Sequence, residues 1–266
     1  GIVSRAGWWL MGTALALGLG ACASSGGTAV LPADEQFQEA TRFFENGQYD
    51  RAVGAFQAFV FNYPQDSRVP DARWLAAESY YRMEDWATAA QEYLNYQRDF
   101  PREERAAEAI YQAGRAYQEM SLRPELDQRD TERAINVYDR LLVEYPSSEL
   151  VAETRERVAE LRNKLAEKVY LNAEFYFDHE DFEAAEIYLA DLIATFPQTE
   201  WIPAAYALLA RTFCAQGLSD RAADVFARLR EAFPDSRAAR EVDGQLPGRC
   251  VRSPAPEQAA GSSDGG

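Results

Sequence analysis

Five aromatic-proline pairs divide this chain: Tyr63-Pro64, Phe100-Pro101, Tyr145-Pro146, Phe196-Pro197 and Phe233-Pro234. Each closes a stretch whose apolar residues recur at three- and four-residue steps, the period of an amphipathic helix. Proline stops each stretch because it has no N–H to donate and its ring collides with the preceding turn. Twelve residues before each proline stands an alanine: Ala52, Ala89, Ala134, Ala185 and Ala222. A fixed internal period of this size marks a repeat architecture, in which each unit buries its apolar face only against its neighbours. The small alanine lets two helices approach closely, and aromatics fill the wedge beside it. The pattern predicts an all-α solenoid of stacked helical hairpins, an architecture that more often binds than catalyses.

The period is irregular, and the irregularity is informative. Successive prolines lie 37, 45, 51 and 37 residues apart. The third unit holds extra residues between its helices, in SLRPELDQRD. The fourth holds extra helix, because SSELVAETRERVAELRNKLAEKVYLNAEFYF contains no breaker. Ser147 or Ser148 is placed to cap its start, and Val151, Val158, Leu161, Leu165, Val169 and Leu171 give it an apolar stripe. The run ETRERVAELRNKLAEK reads as a solvated face with charge pairs at four-residue spacing, or as a docking surface for a partner subunit.

The ends differ from the middle. Arg5 is the only charge before Asp34, and an apolar run from Trp8 to Gly20 follows it. At about 1.5 Å per residue that run is too short for a hydrocarbon core of roughly 30 Å. A positive start, a short apolar centre and small residues beyond it read as a secretory signal. We expect a signal peptide over 1–21, a flexible tether over 22–33, the repeat domain over 34–240, and a disordered tail over 241–266 rich in Pro, Gly, Ser and Ala. The chain carries 27 Lys and Arg against 43 Asp and Glu, a formal charge of −16. Phosphates would repel it, which argues against nucleic-acid partners.

Little chemistry is on offer. The chain has a single histidine, His179, in the turn-like FDHEDF, and no CxxC, so no metal or other cofactor is expected. No Ser-His-Asp set and no phosphate-binding glycine loop can be assembled, and no catalytic residue is expected. Cys214 and Cys250 form a candidate disulfide, the alternative being a buried thiol and a free tail thiol.

Two resemblances sharpen this reading. Leu19-Gly20-Ala21-Cys22 resembles the lipobox of bacterial lipoproteins, which implies cleavage before Cys22 and lipidation (palmitate among the acyl chains) of that residue. Multiple acyl chains on one residue anchor a protein without a spanning helix. Ala23 follows the cysteine where an inner-membrane retention signal would show Asp, so the resemblance implies the outer membrane, facing the periplasm. Gly47, Tyr49, Ala52, Phe56 and Pro64, and their counterparts such as Tyr80, Trp86, Ala89, Tyr93 and Pro101, resemble the tetratricopeptide repeat. The lipobox, the five units, the insertion LDQRDTERAINVYDRLLVEYPSSE and the long helix VAELRNKLAEKVYLNAEFYF together resemble the BamD family, lipoproteins of the outer-membrane β-barrel assembly machine. That resemblance covers about 34–240. It implies binding to a BamA-like barrel subunit and other assembly lipoproteins through the C-terminal repeats, and capture of the C-terminal segments of unfolded barrel proteins by the N-terminal ones. A periplasmic tetratricopeptide scaffold of the Tol-Pal or a pilus or secretin system is the alternative.

Helical phase nominates the groove. In the first helix of a unit, the face away from the packed alanine points to the concavity. This gives Thr41 and Phe44 in unit one, Trp74, Tyr81 and Arg82 in unit two, and Tyr111 and Arg115 in unit three. Arg82 and Arg115 suit a terminal carboxylate, and Trp74 and Tyr81 suit a terminal aromatic.

Overall fold

The structure, a computed structural model, describes residues 30–245. Among these residues are eleven helices and no strand: α1 (Ala33–Glu45), α2 (Tyr49–Asn62), α3 (Val69–Arg82), α4 (Trp86–Asp99), α5 (Ala106–Glu119), α6 (Arg129–Glu144), α7 (Val151–Asp178), α8 (Phe182–Thr195), α9 (Ile202–Ala215), α10 (Ser219–Ala232) and α11 (Arg237–Gln245). Helices α1 to α10 pack chiefly on their chain neighbours, and α11 lies on both α9 and α10. This is the all-α solenoid of helical hairpins that the period predicts. Among the described residues no helix is long and apolar enough to cross a membrane. The signal segment, Cys22, most of the tether and Cys250 lie outside the described residues.

The aromatic-proline pairs build one turn five times. Proline's Cδ crowds the residue before it out of the α region. All five aromatics accordingly sit at φ between −123° and −139° and ψ between 50° and 58°. Each still donates its N–H to the carbonyl four residues earlier, at 2.8–2.9 Å, so it is the last hydrogen-bonded residue of its helix. Its own carbonyl then accepts an N–H three residues later, as in Asp66 to Tyr63 at 3.0 Å and Ser148 to Tyr145 at 3.0 Å. The chain leaves that turn aimed into the next hairpin. Tyr145 adds a link between units, its hydroxyl donating to the Pro101 carbonyl at 3.1 Å.

Inside the hairpins a second recurrent turn closes the first helix. Gly47, Glu84, Glu180 and Gly217 occupy its left-handed position, with φ from 61° to 77°. Only two of the four are glycine. Where glutamate stands instead, the next residue is an aspartate that caps the following helix: Asp85 accepts from the Thr88 N–H at 3.3 Å and Asp181 from the Ala184 N–H at 3.2 Å. Unit three has no such turn. Its insertion is held by the buried Gln128, which donates to the carbonyls of Leu122, Arg123 and Leu126 and accepts from the Thr131 hydroxyl at 2.7 Å.

The five repeat alanines are fully buried, and the residues four positions on, Phe56, Tyr93, Tyr138, Leu189 and Phe226, are buried beside them. Fully burying one such side chain contributes about 1.5–3 kcal/mol. The long α7 joins two cores. Val158 and Leu161 in its first half pack with Ile110, Ile135, Tyr138 and Leu141, while Ala166 and Ala173 in its second half belong to the core of α8 to α10. Lys164 and Lys168 fasten it to the insertion, donating to the Ser121 hydroxyl at 2.7 Å and the Leu126 carbonyl at 2.8 Å.

Two local features differ from the sequence reading. Neither Ser147 nor Ser148 is the N-cap of α7; that position is Leu150, and the Ser148 hydroxyl accepts the Leu150 N–H at 3.2 Å inside the preceding turn. After the fifth aromatic-proline turn, α11 extends helical order to Gln245, past the domain boundary read at residue 240.

Gly114 shows how close the helices come. A Cβ there would meet the buried Tyr138 ring at 2.4 Å. Gly114→Ala is expected to lower stability by about 1–3 kcal/mol in urea unfolding. Glu180→Gly should raise it by about 0.5 kcal/mol, since relief of the left-handed backbone outweighs the added freedom of the unfolded chain.

Candidate peptide-binding groove

The first helices of units one to three, with the start of α4, enclose an open groove of about 780 Å³ lined by Phe44, Trp74, Leu75, Glu78, Tyr81, Arg82, Glu84, Trp86, Glu108, Gln112 and Arg115. Five of the seven residues nominated by helical phase lie on it: Phe44, Trp74, Tyr81, Arg82 and Arg115. Thr41 and Tyr111 are not among its lining residues. Thr41 turns its hydroxyl back onto its own helix, donating to the Phe37 carbonyl at 2.9 Å.

The groove wall is aromatic. Tyr81 meets Trp86 edge to face with ring centres 4.7 Å apart. Trp74 is 8% exposed and packs edge-on against Tyr93 and Tyr96 at 5.2 and 5.5 Å, so it supports the wall from within the core. Burial raises the pKa of the Tyr81 hydroxyl, against the opposing pull of Arg115.

The two nominated arginines differ in availability. Arg82 donates from Nε to Glu78 Oε1 at 2.7 Å, and Glu78 Oε2 accepts from the Tyr93 hydroxyl at 2.7 Å. That bond to Glu78, with the carboxylate's charge, raises the Arg82 pKa. Arg115 lies with its guanidinium carbon 5.3 Å from the Tyr81 ring centre and donates to the side-chain carbonyl of Gln112 at 3.1 Å. Among the described residues it has no carboxylate partner. The groove thus presents one cation held in no ion pair, stacked on an aromatic ring, with Glu84 and Glu108 also on the lining.

Tyr111 is buried and faces α7. Its hydroxyl donates to Glu153 and accepts from Arg157 Nε at 2.7 Å, and Arg157 also pairs with Glu153 at 3.0 Å. Helical phase nominated Tyr111 for the groove, but the structure buries it against α7, because no period reports that a helix 42 residues further on covers it. The reading also missed Trp86, taken as a repeat marker, and Glu78. The four-residue spacing of Glu78 and Arg82 was the available signal for that pair. Cys214 lies near the end of α9 and is disulfide-bonded. Among the described residues no cluster of His, Cys, Asp and Glu could hold a metal ion.

Comparison with known proteins places the chain. The YfiO family of outer membrane lipoproteins matches residues 31–229. The chain belongs to that family. It is also 24% identical over 217 residues to the outer membrane protein assembly factor BamD of Vibrio cholerae, spanning 78% of this chain and 90% of the relative. This agrees with the BamD-type resemblance of the sequence. Similar solved structures include the TPR2AB domain of yeast Sti1 in its pHSP90 complex (17% identity, 80% of this chain and 82% of that one, TM-score 0.41). A thermophilic tetratricopeptide protein of Thermus thermophilus is another (18% identity, 80% and 97%, TM-score 0.32).

The hydrogen bonds from Tyr111 and Arg157 hold the Glu153 carboxyl below its usual pKa. A carboxyl depressed on folding contributes stability that is present above about pH 4.3 and lost as pH falls through the folded value. Because Glu153 is 49% exposed, solvent screening keeps the contribution below about 1 kcal/mol. Thermal melts of Glu153→Gln should therefore fall below wild type at pH 6, and the gap should shrink as the pH is lowered below about 4.

Proposed function

We propose that this lipoprotein serves a β-barrel assembly complex of the outer membrane, helping barrel proteins to fold and insert by binding protein segments. Membership of the YfiO family and similarity to an outer membrane protein assembly factor support the setting. In this reading Cys22 carries the lipid anchor, the domain faces the periplasm, and a BamA-like barrel subunit and other assembly lipoproteins are its partners. Pairing of Cys214 with Cys250 would tie the end of the chain back to α9.

The groove would receive the C-terminal segment of an unfolded barrel protein. The observation that carries this is Arg115, a cation in no ion pair among the described residues, stacked on Tyr81 beside Trp86. An ion pair at the mouth of an aromatic groove suits a chain end carrying both a carboxylate and an aromatic side chain. Arg82, tied to Glu78, would orient the segment. Binding here needs no bond-making, so the role is that of an adaptor and not an enzyme.

Titration of the purified chain with a synthetic barrel C-terminal peptide, followed by tryptophan fluorescence, tests this. Arg115→Ala should weaken binding at least about ten-fold, and amidating the peptide's carboxylate should weaken wild type equally. Equal affinity of the free-acid and amidated peptides would remove Arg115 from this role.

A further inference from the structure

Position for position, unit four differs from its neighbours on one face. Ten residues before the repeat alanine stand Arg42, Ser79, Phe175 and Thr212 in units one, two, four and five. Ser79 and Thr212 are fully buried, and each turns its hydroxyl onto its own helix, donating to the Leu75 and Leu208 carbonyls. Small side chains suit a place where the preceding hairpin presses close. Arg42, in the first hairpin with no repeat before it among the described residues, is exposed. Phe175 occupies an internal unit and is nonetheless 57% exposed.

The length of α7 explains this. It has 28 residues against 16 in α6. Its first half takes up the packing against α6, through Val158 and Leu161 and the ion pair from Arg162 to Asp139 at 3.1 Å. Its second half forms the hairpin with α8. That hairpin is left without a preceding unit on the face that carries Phe175. The end of a repeat stack needs a polar outer face to stay soluble. Here the face is aromatic. Tyr176 stacks on Tyr188 of α8 with centres 5.3 Å apart and planes at 14°, and Phe175 lies 5.5 Å from Tyr176 and 4.1 Å from His179. On α8, Ile187 is 69% exposed at a position that Gly54, Gln91 and Asp224 fill in other units.

The hairpin that carries this face is acidic in sequence, with Lys168 just before it and Arg211 and Arg221 on the helices behind. From Val169 to Ala210 the chain holds no Lys or Arg and eight acids: Glu174, Asp178, Glu180, Asp181, Glu183, Glu186, Asp191 and Glu200. Glu186 is paired with Arg221 at 2.6 Å. Glu174, Asp178, Glu180 and Glu183 have no ion-pair partner among the described residues. We propose that the aromatic face of Phe175, Tyr176 and Tyr188 is a docking surface for a partner segment with an apolar centre and a rim of Lys or Arg. The aromatics supply buried area, and the acids select for charge and speed the encounter. This surface is separate from the groove of units one to three, so either reading can fail alone.

The test uses the full chain and three labelled helical peptides: one amphipathic with leucine and lysine, its leucine-glutamate counterpart, and a lysine peptide with alanine in place of leucine. Fluorescence anisotropy should show that the leucine-lysine peptide binds most tightly. Phe175→Ala with Tyr188→Ala should weaken it at least about ten-fold, while Arg115→Ala leaves it unchanged. Phe175 is exposed enough that its loss should spare the fold, which thermal melts of the variant check. Three results overturn the proposal: undiminished binding to the double variant, equal binding of the leucine-free lysine peptide, or crosslinks from a photoreactive residue at position 175 that run to residues 246–266 or to a second copy of the chain.

Discussion

The steric conflict between proline and the residue before it governs this molecule. It forces each of five aromatics out of helical geometry while leaving its last helical hydrogen bond intact. The resulting turn stops a helix and redirects the chain with nearly the same dihedral angles each time. Hairpins so connected have little choice but to stack, and the stack buries the repeat alanines and the aromatics beside them. The groove follows from the stack, because the first helices of successive hairpins come to line one side.

Against that regular background the fourth unit is the significant departure. A helix of 28 residues does two jobs in sequence, closing the core of the third unit and then opening that of the fourth. The insertion before α6 is fastened to it by Lys164 and Lys168. Glu153 and Arg157 of the same helix reach Tyr111 of α5. One element thereby sets both where the groove of the first three units ends and which face of the fourth is left open.

Much of this was legible in the sequence, for a physical reason. The aromatic-proline pairs and the alanines at their fixed offset are local signals, and a solenoid is built almost wholly from local contacts. Unequal proline spacing likewise located the insertion and the lengthened helix. Features that escaped are the ones that period cannot encode. Glu84 and Glu180 hold left-handed turns that only glycine would have announced. The nine-residue α11 is followed by no aromatic-proline pair to mark its end. Contact between Tyr111 and α7 depends on how far a helix overshoots its neighbour, which the sequence states only as a length. Within the groove, phase placed Phe44, Tyr81, Arg82 and Arg115 on the lining, because those residues belong to first helices packed in the regular part of the stack.

The central claim is that this lipoprotein supports barrel assembly, and depletion in its own cells tests it most directly. The readout is the heat-modifiable gel mobility that separates folded from unfolded outer-membrane barrels. The account predicts that folded barrels decline as the protein is depleted, while unrelated outer-membrane lipoproteins keep their levels. Barrels that continue to fold at the normal rate after depletion would contradict it.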